Sequence, residues 1–251
     1  MSSSRTAGTG TTETSLARNR ALRESALSET RRNLILNAAR SAFLELGLDR
    51  ASLREIAKRA GYTPGAIYTY FSSLEDIYAA LLEESLQRLQ AAVDTAETTH
   101  GHAVNADAAG TGAAGNARAP AAAAAPDTST TRLRATAHAF YAFYRDHPKD
   151  LDLGFYLFNG ARPRGLTPEL NRRLNSQLMN ALEPIRRSLL HSGHSTDEAT
   201  LITTGIFAHI VGTLMLANTG RIRLFRQDPD TLFNRYIDAL ECSEHFNALP
   251  R

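Results

Sequence analysis

The chain has 251 residues, of which 43% are hydrophobic, and its 28 Lys/Arg against 26 Asp/Glu give a formal net charge of +2. That length can bury one large core or two modest ones. No apolar run is long and uninterrupted enough for a membrane span, and the first residues lack the apolar core of a signal peptide. A single cysteine, Cys242, excludes an internal disulfide and a cysteine metal cage. We therefore expect a cytoplasmic protein without a metal site or a cofactor.

Charge is distributed unevenly along the chain. Residues 1–73 hold 11 Arg/Lys against 6 Asp/Glu, whereas residues 74–251 hold 17 against 20. A basic N-terminal part on a slightly acidic remainder suits a polyanionic partner at one end of the molecule. A solvated charged surface would give the same asymmetry, so both interpretations stay open.

Residues 1–27 begin with small polar residues and end in an arginine-bearing stretch. This composition predicts a disordered basic tail with some helix toward its end. Two roles are compatible with it. The tail is either a solvated leader or a basic arm that touches phosphates or the DNA minor groove.

A helix-turn-helix pattern lies between Ser52 and Phe71, after a first helix predicted over 30–47. Ser52 with Glu55 fits a capping box, and Gly61 stands where a helix ends in a left-handed residue. Thr63 can cap a second helix over 63–71, in which Pro64 suits the first turn. A short helix, a glycine turn and a second capped helix are typical of a motif whose second helix enters the DNA major groove.

The remaining chain is predicted to be helical apart from one segment. Ser72 with Glu75 predicts the start of a long fourth helix, and residues 98–131 predict a flexible insertion because Gly, Ala, Thr and Pro dominate there. Apolar periodicity then predicts helices over 132–147, 150–159, 167–191, about 197–217 and 231–246, the last beginning at Asp230. No segment shows sustained strand alternation. We therefore expect an all-α chain of about nine helices.

Residues 31–82 resemble the N-terminal DNA-binding domain of the TetR family of bacterial repressors. The resemblance is carried by Ile35-Leu-Asn-Ala-Ala39, Ala42-Phe43, Gly47, Ser52-Leu-Arg-Glu-Ile-Ala57, Ala60-Gly61, Gly65, Ile67-Tyr68 and Tyr70-Phe71. It implies a helix-turn-helix domain over 28–73 and a helical ligand-binding and dimerisation domain over 74–251. It also implies a homodimer that binds palindromic operator DNA and releases it when a small molecule enters the C-terminal domain.

The resemblance and the residue chemistry together give a set of candidate DNA contacts. Hydroxyls, an exposed methyl, a glycine that permits close approach and arginines suit phosphates and base edges. The candidates are Arg31, Ser52, Arg54, Tyr62, Thr63, Pro64, Gly65, Ala66, Tyr68, Thr69 and Tyr70. For Tyr68 a phosphate contact is favoured, and for Tyr70 a partly buried ring competes with that role.

Candidate ligand residues in the C-terminal domain are mainly aromatic and apolar, as is usual for small-molecule pockets. They are Phe140, Tyr144, Phe155, Phe158, Asn159, Met179, Phe207 and His209, and they would suit a small apolar or aromatic effector. The competing interpretation is that this aromatic stripe is simply core. For dimerisation the helices near 197–217 and 231–246 are favoured, with intrachain packing as the alternative.

Two positions depart from the family pattern. Pro64 and Leu74 stand where similar proteins often carry Lys or another polar residue, so positive charge is missing beside the expected DNA surface. Two alternatives to a ligand-released repressor stay open, and the departures favour the second of them. One is an effector-independent activator, and the other is a small-molecule-binding helical protein with weakened DNA binding. No nucleophile–base set or phosphate-binding glycine loop is visible, so the sequence does not predict an enzyme.

Overall fold

The computed structural model describes residues 9–47, 50–109, 128–155 and 167–247. Within these ranges the chain forms nine α-helices, one 3₁₀ helix and no strand. The helices are α1 (Thr9–Leu46), α2 (Leu53–Ala60), α3 (Pro64–Ile67), α4 (Leu74–Ala109), α5 (Thr128–Asp146), α6 (Pro148–Phe155), α7 (Pro168–His191), α8 (Thr196–Asn218) and α9 (Pro229–Asn247), with the 3₁₀ helix at Arg221–Phe225. The all-α class predicted from the sequence is confirmed.

The chain divides into two compact units, one through Leu81 and the other from Leu82. The predicted boundary followed residue 73. The difference arises because the first two turns of α4 belong to the core of the N-terminal unit, where Ile77 is fully buried. Tyr78, also buried, meets Phe43 of α1 edge to face with ring centroids 6.1 Å apart.

The core of the N-terminal unit is small and built from aliphatic side chains of all four helices. α1 contributes Ile35, Ala39 and Ala42, each with no exposed surface. α2 contributes Ile56 and Ala57 at adjacent positions of its buried face. Short side chains on α1 let α2 pack closely against it, which fixes the direction in which the helix-turn-helix leaves α1.

The N-terminal helix is longer than the sequence predicted. A disordered tail was expected over 1–27, but in the structure α1 already begins at Thr9. Residues 18–34 are all exposed, so no core holds this part of the helix. Its Ala, Leu, Arg and Glu residues have high intrinsic helix propensity, and an Arg20–Glu24 pair at 3.0 Å supports it at i,i+4 spacing. Residues 1–8 lie outside the described part of the chain.

The predicted start of α4 and the predicted insertion also need correction. The predicted capping pair was Ser72 with Glu75. In the structure the Ser73 hydroxyl accepts from the Asp76 amide at 3.1 Å, and the Asp76 carboxylate accepts from the Ser72 amide at 3.2 Å. Of the insertion expected over 98–131, residues 98–109 continue α4, because a helix that is already nucleated propagates at little cost, and residues 128–131 form the start of α5. Residues 110–127 lie outside the described residues.

The C-terminal unit packs α5, α7, α8 and α9 against one another, with α6 beside α5. Tyr141 of α5 stacks on Phe233 of α9 with centroids 4.2 Å apart, and its hydroxyl donates to Asp230 at 2.6 Å. Asp230 is thus a tertiary partner rather than the helix start predicted from sequence. The cap of α9 is Asp228, whose carboxylate accepts from the Thr231 amide at 2.8 Å.

α8 combines a buried face with an apolar exposed one. Ile206 and Ile210 are fully buried, whereas Leu201 is 73% exposed. By length and composition alone, α8 is the one helix in the described ranges that would suffice to cross a membrane, whereas no such run was expected from the sequence. Its contacts with α5, α7 and α9 place one side of it in the core of this unit.

Candidate DNA interface and C-terminal ligand region

The helix-turn-helix forms through the local signals that its sequence carries. The Ser52 hydroxyl caps α2 by accepting from the Glu55 amide at 3.3 Å, and Gly61 ends α2 with φ +73°. The Thr63 hydroxyl caps α3 by accepting from the Ala66 amide at 3.3 Å. Only half of the predicted Ser52–Glu55 box exists, because the Glu55 carboxylate binds Arg59 at 2.8 Å instead of reaching back.

α3 is shorter than the helix predicted over 63–71. It ends at Ile67, and residues 68–70 form turns in which the Tyr70 amide donates to the Ile67 carbonyl at 2.9 Å. Tyr68, Thr69 and Tyr70 are aromatic or β-branched and have modest helix propensity. The Phe71 amide still reaches the Ile67 carbonyl at 3.0 Å, so these residues remain wound beside α3.

One side of the motif is core and the other faces solvent. Ile56, Ala57, Ile67 and Phe71 are buried. Every candidate DNA contact lies outside that core. Arg31, Ser52, Arg54, Thr63, Pro64, Gly65, Tyr68 and Thr69 are exposed, and Tyr62, Ala66 and Tyr70 are half-buried. The fold therefore gathers all eleven on accessible surface of one unit.

Two tyrosines differ in how they meet this surface. Tyr68 is 59% exposed, so its ring contributes little to the core. Tyr70 hydrogen-bonds the Arg31 guanidinium, and this contact, with a smaller contribution from Tyr62, raises the pKa of Arg31. Arg31 on α1 thus lies beside the residues that follow α3, a proximity that depends on tertiary packing.

Arg59 and Arg32 serve the unit itself. The Arg59 guanidinium reaches Glu45 at 2.9 Å and the Ser41 hydroxyl at 3.1 Å, which ties α2 to α1. The Glu55 carboxylate, and after it that of Glu45, raises the pKa of Arg59 against the opposing effect of burial. The Arg32 guanidinium, which also belongs to α1, lies 4.9 Å from the centroid of the Phe71 ring and makes a cation–π contact with it. The two carboxylate partners of Arg59 assign it to the scaffold of this unit.

Four of the predicted ligand residues meet in one aromatic cluster of the C-terminal unit. Phe140 contacts Tyr144 at 5.4 Å and Phe207 at 5.9 Å, and Phe155 contacts Phe207 at 6.2 Å between ring centroids. Phe140 and Tyr144 are buried, and burial raises the pKa of the Tyr144 phenol. Phe155 and Phe207 are half-buried, so they form the accessible side of this cluster.

Met179 and His209, two further predicted ligand residues, do not join that cluster. Met179 is 57% exposed on α7. His209 stacks on Tyr236 of α9 at 4.0 Å, where burial lowers its pKa despite a hydrogen bond to the Leu232 backbone. Phe158 and Asn159 lie outside the described residues. The six described members of the predicted set are therefore split between a cluster, an exposed helix face and a helix–helix contact.

A polar cleft between α4 and α7 was not predicted from the sequence. Its volume is about 530 Å³, and its walls are Leu86, Gln87, Gln90, Ala91, Asp94, Gln177, Asn180, Glu183 and Arg187. The Gln177 amide nitrogen donates to Glu83 at 3.0 Å, while its carbonyl oxygen is buried without a partner in the described part of the chain. The sequence does contain a row of polar side chains at helical spacing on each of these two helices. Only the packing of α4 against α7 shows that the two rows face each other.

Among the described residues, no group of three or more His, Cys, Asp or Glu side chains is placed to hold a metal ion.

Family models match both units of the chain. Residues 35–81 match the model described as bacterial regulatory proteins of the tetR family. Residues 133–240 match the model described as a tetracyclin repressor-like C-terminal domain. The two matches coincide with the helix-turn-helix and with the helices α5 to α9.

Curated relatives share a short segment with this chain. The transcriptional repressor BepR of Brucella suis biovar 1 is 44% identical over 55 residues, which is 22% of this chain and 26% of BepR. The activator FasR of Mycolicibacterium smegmatis is 35% identical over 71 residues, 28% of this chain and 32% of FasR. The matched segments thus span less than two thirds of these relatives, and they include both a repressor and an activator.

Solved structures share the fold over most of the chain. A protein of unknown function from Rhodococcus sp. RHA1 has a TM-score of 0.59 and 21% identity, covering 85% of this chain and 94% of its own. FadR from Bacillus subtilis, solved with stearoyl-CoA, has a TM-score of 0.55 and 19% identity, covering 82% and 96%. These likenesses show the fold, and the two family models, which match both units, show that the chain belongs to the TetR family of bacterial regulatory proteins.

Proposed function

We propose that this protein is a cytoplasmic transcriptional regulator that binds a palindromic operator as a homodimer and is not an enzyme. The observation that carries the proposal is the exposed surface around α3, where candidate contacts stand opposite a fully buried core. A helix-turn-helix dimer places one recognition helix in each of two major-groove half-sites. Dimer symmetry would then be mirrored in the operator sequence.

α3 would read DNA mainly through small groups. The Thr63 hydroxyl accepts from an amide at its own helix start, yet its proton remains available to a phosphate oxygen. The Ala66 methyl suits a thymine methyl, and Gly65 lets the backbone approach a base edge. Tyr68 supplies a phenol that can donate to a phosphate, and Arg54 on α2 adds a charged donor that is exposed.

The missing charges at Pro64 and Leu74 shift phosphate anchoring toward α1. Pro64 has no donor, and Leu74 is half-buried at the start of α4. Arg31 is exposed beside Tyr70, so it can supply a guanidinium from a different helix. A guanidinium can hold two phosphate oxygens at once, so one such contact can offset a missing lysine.

A gel shift with the DNA that flanks the protein's own coding region tests the proposal. We expect salt-sensitive binding that survives an excess of unrelated DNA, and we expect Tyr68→Ala to abolish it. Leu44→Ala is a matched control, because Leu44 is 40% exposed on α1 and is not a candidate contact. Absence of specific binding by the wild-type protein would refute the proposal, whereas full binding by Tyr68→Ala would remove only Tyr68 from the interface.

We infer that the C-terminal unit holds a small-molecule effector whose binding releases the operator. The half-buried rings of Phe155 and Phe207 suit an apolar or aromatic compound, as the sequence predicted. The cleft between α4 and α7 suits a polar compound, since the buried oxygen of Gln177 can accept a hydrogen bond from it. The FadR neighbour crystallised with stearoyl-CoA makes acyl-CoA a useful probe.

A thermal-shift screen with aromatic compounds, acyl-CoA and polyols separates these sites. Stabilisation lost in Phe207→Ala but kept in Gln177→Ala would assign the aromatic cluster, and the reverse would assign the cleft. A ligand that stabilises the protein must also lower DNA affinity if it is the effector. If stabilising ligands leave DNA binding unchanged, the protein is an effector-independent regulator, a role compatible with its similarity to the activator FasR.

A second candidate is a small-molecule-binding helical protein with weakened DNA binding. Pro64 and Leu74 favour it, because both positions lack the positive charge expected beside DNA. It predicts ligand binding without specific DNA binding, so the gel shift and the thermal-shift screen together distinguish it from the first proposal.

A further inference from the structure

We propose that the exposed N-terminal half of α1 is a second DNA-contacting surface, which holds phosphates outside the major-groove site. Its contact line consists of Arg20, Arg23 and Arg31, here named the arginine stripe. The inference rests on the proposed DNA binding and adds a surface that the helix-turn-helix motif does not contain.

The part of α1 that carries Arg20 and Arg23 contributes no side chain to the core of its unit. Residues 18–34 of α1 are all exposed, and Ile35 is the first buried residue after them. The exposed side chains include Leu22 at 60% and Leu27 at 56% exposure. A helical segment of this length without core contacts gains little stability from tertiary packing. Its side chains are therefore available for contact with a partner molecule.

Spacing places the three arginines on one side of α1. Residues 20, 23, 27 and 31 follow one another at intervals of three and four, the spacing of neighbours on a helix surface. Arg18 and Glu29 lie on the opposite side. Along the axis, Arg23 stands about 12 Å and Arg20 about 16 Å from Arg31, given a rise of ~1.5 Å per residue.

The stripe continues the candidate DNA interface. Arg31 hydrogen-bonds Tyr70 and lies near Tyr62, two of the residues that flank α3. From that point the stripe leads away from α3 along α1. Contacts at Arg23 and Arg20 would therefore fall on phosphates beyond the bases that α3 can reach, in the DNA that flanks each half-site.

The chemistry of the stripe favours the DNA backbone as its partner. Residues 15–34 contain five arginines and two glutamates. A guanidinium fork matches two phosphate oxygens, and duplex DNA presents about one charge per 1.7 Å of axis. The Arg20–Glu24 pair is exposed on both sides, with 83% and 66% of the two side chains accessible, so a phosphate can displace Glu24 at little cost.

An anionic membrane is the other partner that a basic helix can meet. Such helices bury a broad apolar face with aromatic anchors. Here the stripe holds a single leucine, Leu27, between its arginines, and residues 15–34 contain no aromatic residue. The observations therefore favour DNA, and membrane binding is made an outcome of the test.

The test is the salt dependence of DNA affinity, measured by fluorescence anisotropy on the upstream fragment that the wild-type protein binds. Each phosphate contact contributes ~0.9 to the slope of log K against log salt. We expect the double variant Arg20→Ala/Arg23→Ala to reduce the magnitude of this slope by about 1.8, because two phosphate contacts are lost. Alanine has high helix propensity, so both substitutions should leave α1 helical, and circular dichroism verifies this. Shortening the duplex to the α3 footprint should erase the difference from wild type.

The control is Arg18→Ala, which removes one positive charge from the opposite side of α1 and is compared with the double variant per charge removed. We expect its slope to equal that of the wild type. An unchanged slope in the double variant, or an equal loss in Arg18→Ala, would overturn the stripe while leaving the proposed regulator intact. Wild-type protein that binds no DNA would overturn both. Binding to vesicles of phosphatidylcholine and phosphatidylserine that depends on Arg20 and Arg23 would assign the stripe to membranes instead.

Discussion

At the residue scale, the positions predicted best are those whose conformation is decided locally. Gly61 and Thr63 behave as the sequence indicated, because a left-handed turn and a helix cap each depend on one residue and its immediate neighbours. The contact between Arg31 and Tyr70 joins residues 39 positions apart, and Arg59 pairs with Glu45 across two helices. Local sequence rules do not predict such pairs. The position of Arg31 at the candidate interface could therefore be known only from the fold.

Two glycines of the helix-turn-helix allow a matched substitution. A Cβ at Gly61 would meet nothing within 4 Å, so its φ of +73° is the sole obstacle to a side chain. We expect Gly61→Ala to destabilise the N-terminal unit by about 1 kcal/mol, the usual cost of a non-glycine residue in this region. Urea unfolding followed by circular dichroism measures it.

Gly65→Ala is the control for that substitution. Gly65 also has open space around it, but it is a helical position without positive φ. Alanine there should leave stability unchanged or raise it by up to about 1 kcal/mol. Equal destabilisation by both variants would show that packing, rather than the backbone conformation of Gly61, sets the cost. If Gly65 approaches a base edge, Gly65→Ala should still weaken DNA binding.

At the scale of elements, apolar periodicity predicted the helical segments that pack against a core. It underestimated the length of helices whose ends do not pack. The core-facing part of α1 was predicted from its apolar face, whereas residues 9–27 were assigned to a tail because they offer no such face. High helix propensity extends α1 there without packing. The end of α4 was missed for a similar reason, since an alanine-rich continuation lacks a periodic signal but needs no new nucleus.

The cap of α4 gives a test at this scale. Ser73 accepts from the Asp76 amide, while Glu75, the residue predicted to complete the cap, is exposed. We expect Ser73→Ala to cost about 1 kcal/mol of stability in urea unfolding, as for other lost serine caps. Glu75→Ala should stay within about 0.5 kcal/mol of the wild type. The opposite ranking would mean that the cap is the pair predicted from sequence.

At the scale of the whole molecule, the sequence indicated the fold family but not which side chains face one another in the C-terminal unit. The aromatic residues from α5, α6 and α8 were predicted as a group, and four of them meet. The polar cleft went unnoticed because its two walls come from α4 and α7, which are about 90 residues apart in the chain. Whether either region binds an effector stays a prediction.

Two histidines make the stability of the C-terminal unit depend on pH. Burial lowers the pKa of His138, and Arg134 and Arg145 add to this against the opposing Asp230 and Asp238. Burial also lowers the pKa of His209. The unfolded chain therefore binds more protons as the pH falls through the ordinary histidine range near 6.5. Stability should thus be lost between about pH 7 and pH 5.

Thermal unfolding at several pH values measures that loss. The double variant His138→Gln/His209→Gln should flatten the decline of Tm on acidification, because glutamine does not titrate. His191→Gln, at an exposed position of α7, is the matched control and should decline like the wild type. A double variant that declines as steeply as the wild type would place the acid sensitivity in other groups.

The proposed dimer depends on a face of α8 that the C-terminal unit leaves uncovered. Leu201, Ala208, Gly212 and Met215 are exposed and follow one side of the helix. Gly212 has open space where a Cβ would stand, whereas a Cβ at Gly205 would lie 3.1 Å from the Tyr236 hydroxyl. Of the two glycines, Gly205 is thus used for packing against α9, and Gly212 is available for close approach by a partner helix.

Charged residues on this face should prevent assembly. We expect Leu201→Glu/Met215→Glu to convert a dimer into a monomer in sedimentation velocity, because each buried carboxylate would lack a partner across the two-fold axis. Met179→Glu, a similar change on the exposed face of α7, should leave the dimer intact. The monomer should bind DNA far more weakly, since it engages one half-site instead of two. A dimer that survives the α8 substitutions would place the interface elsewhere.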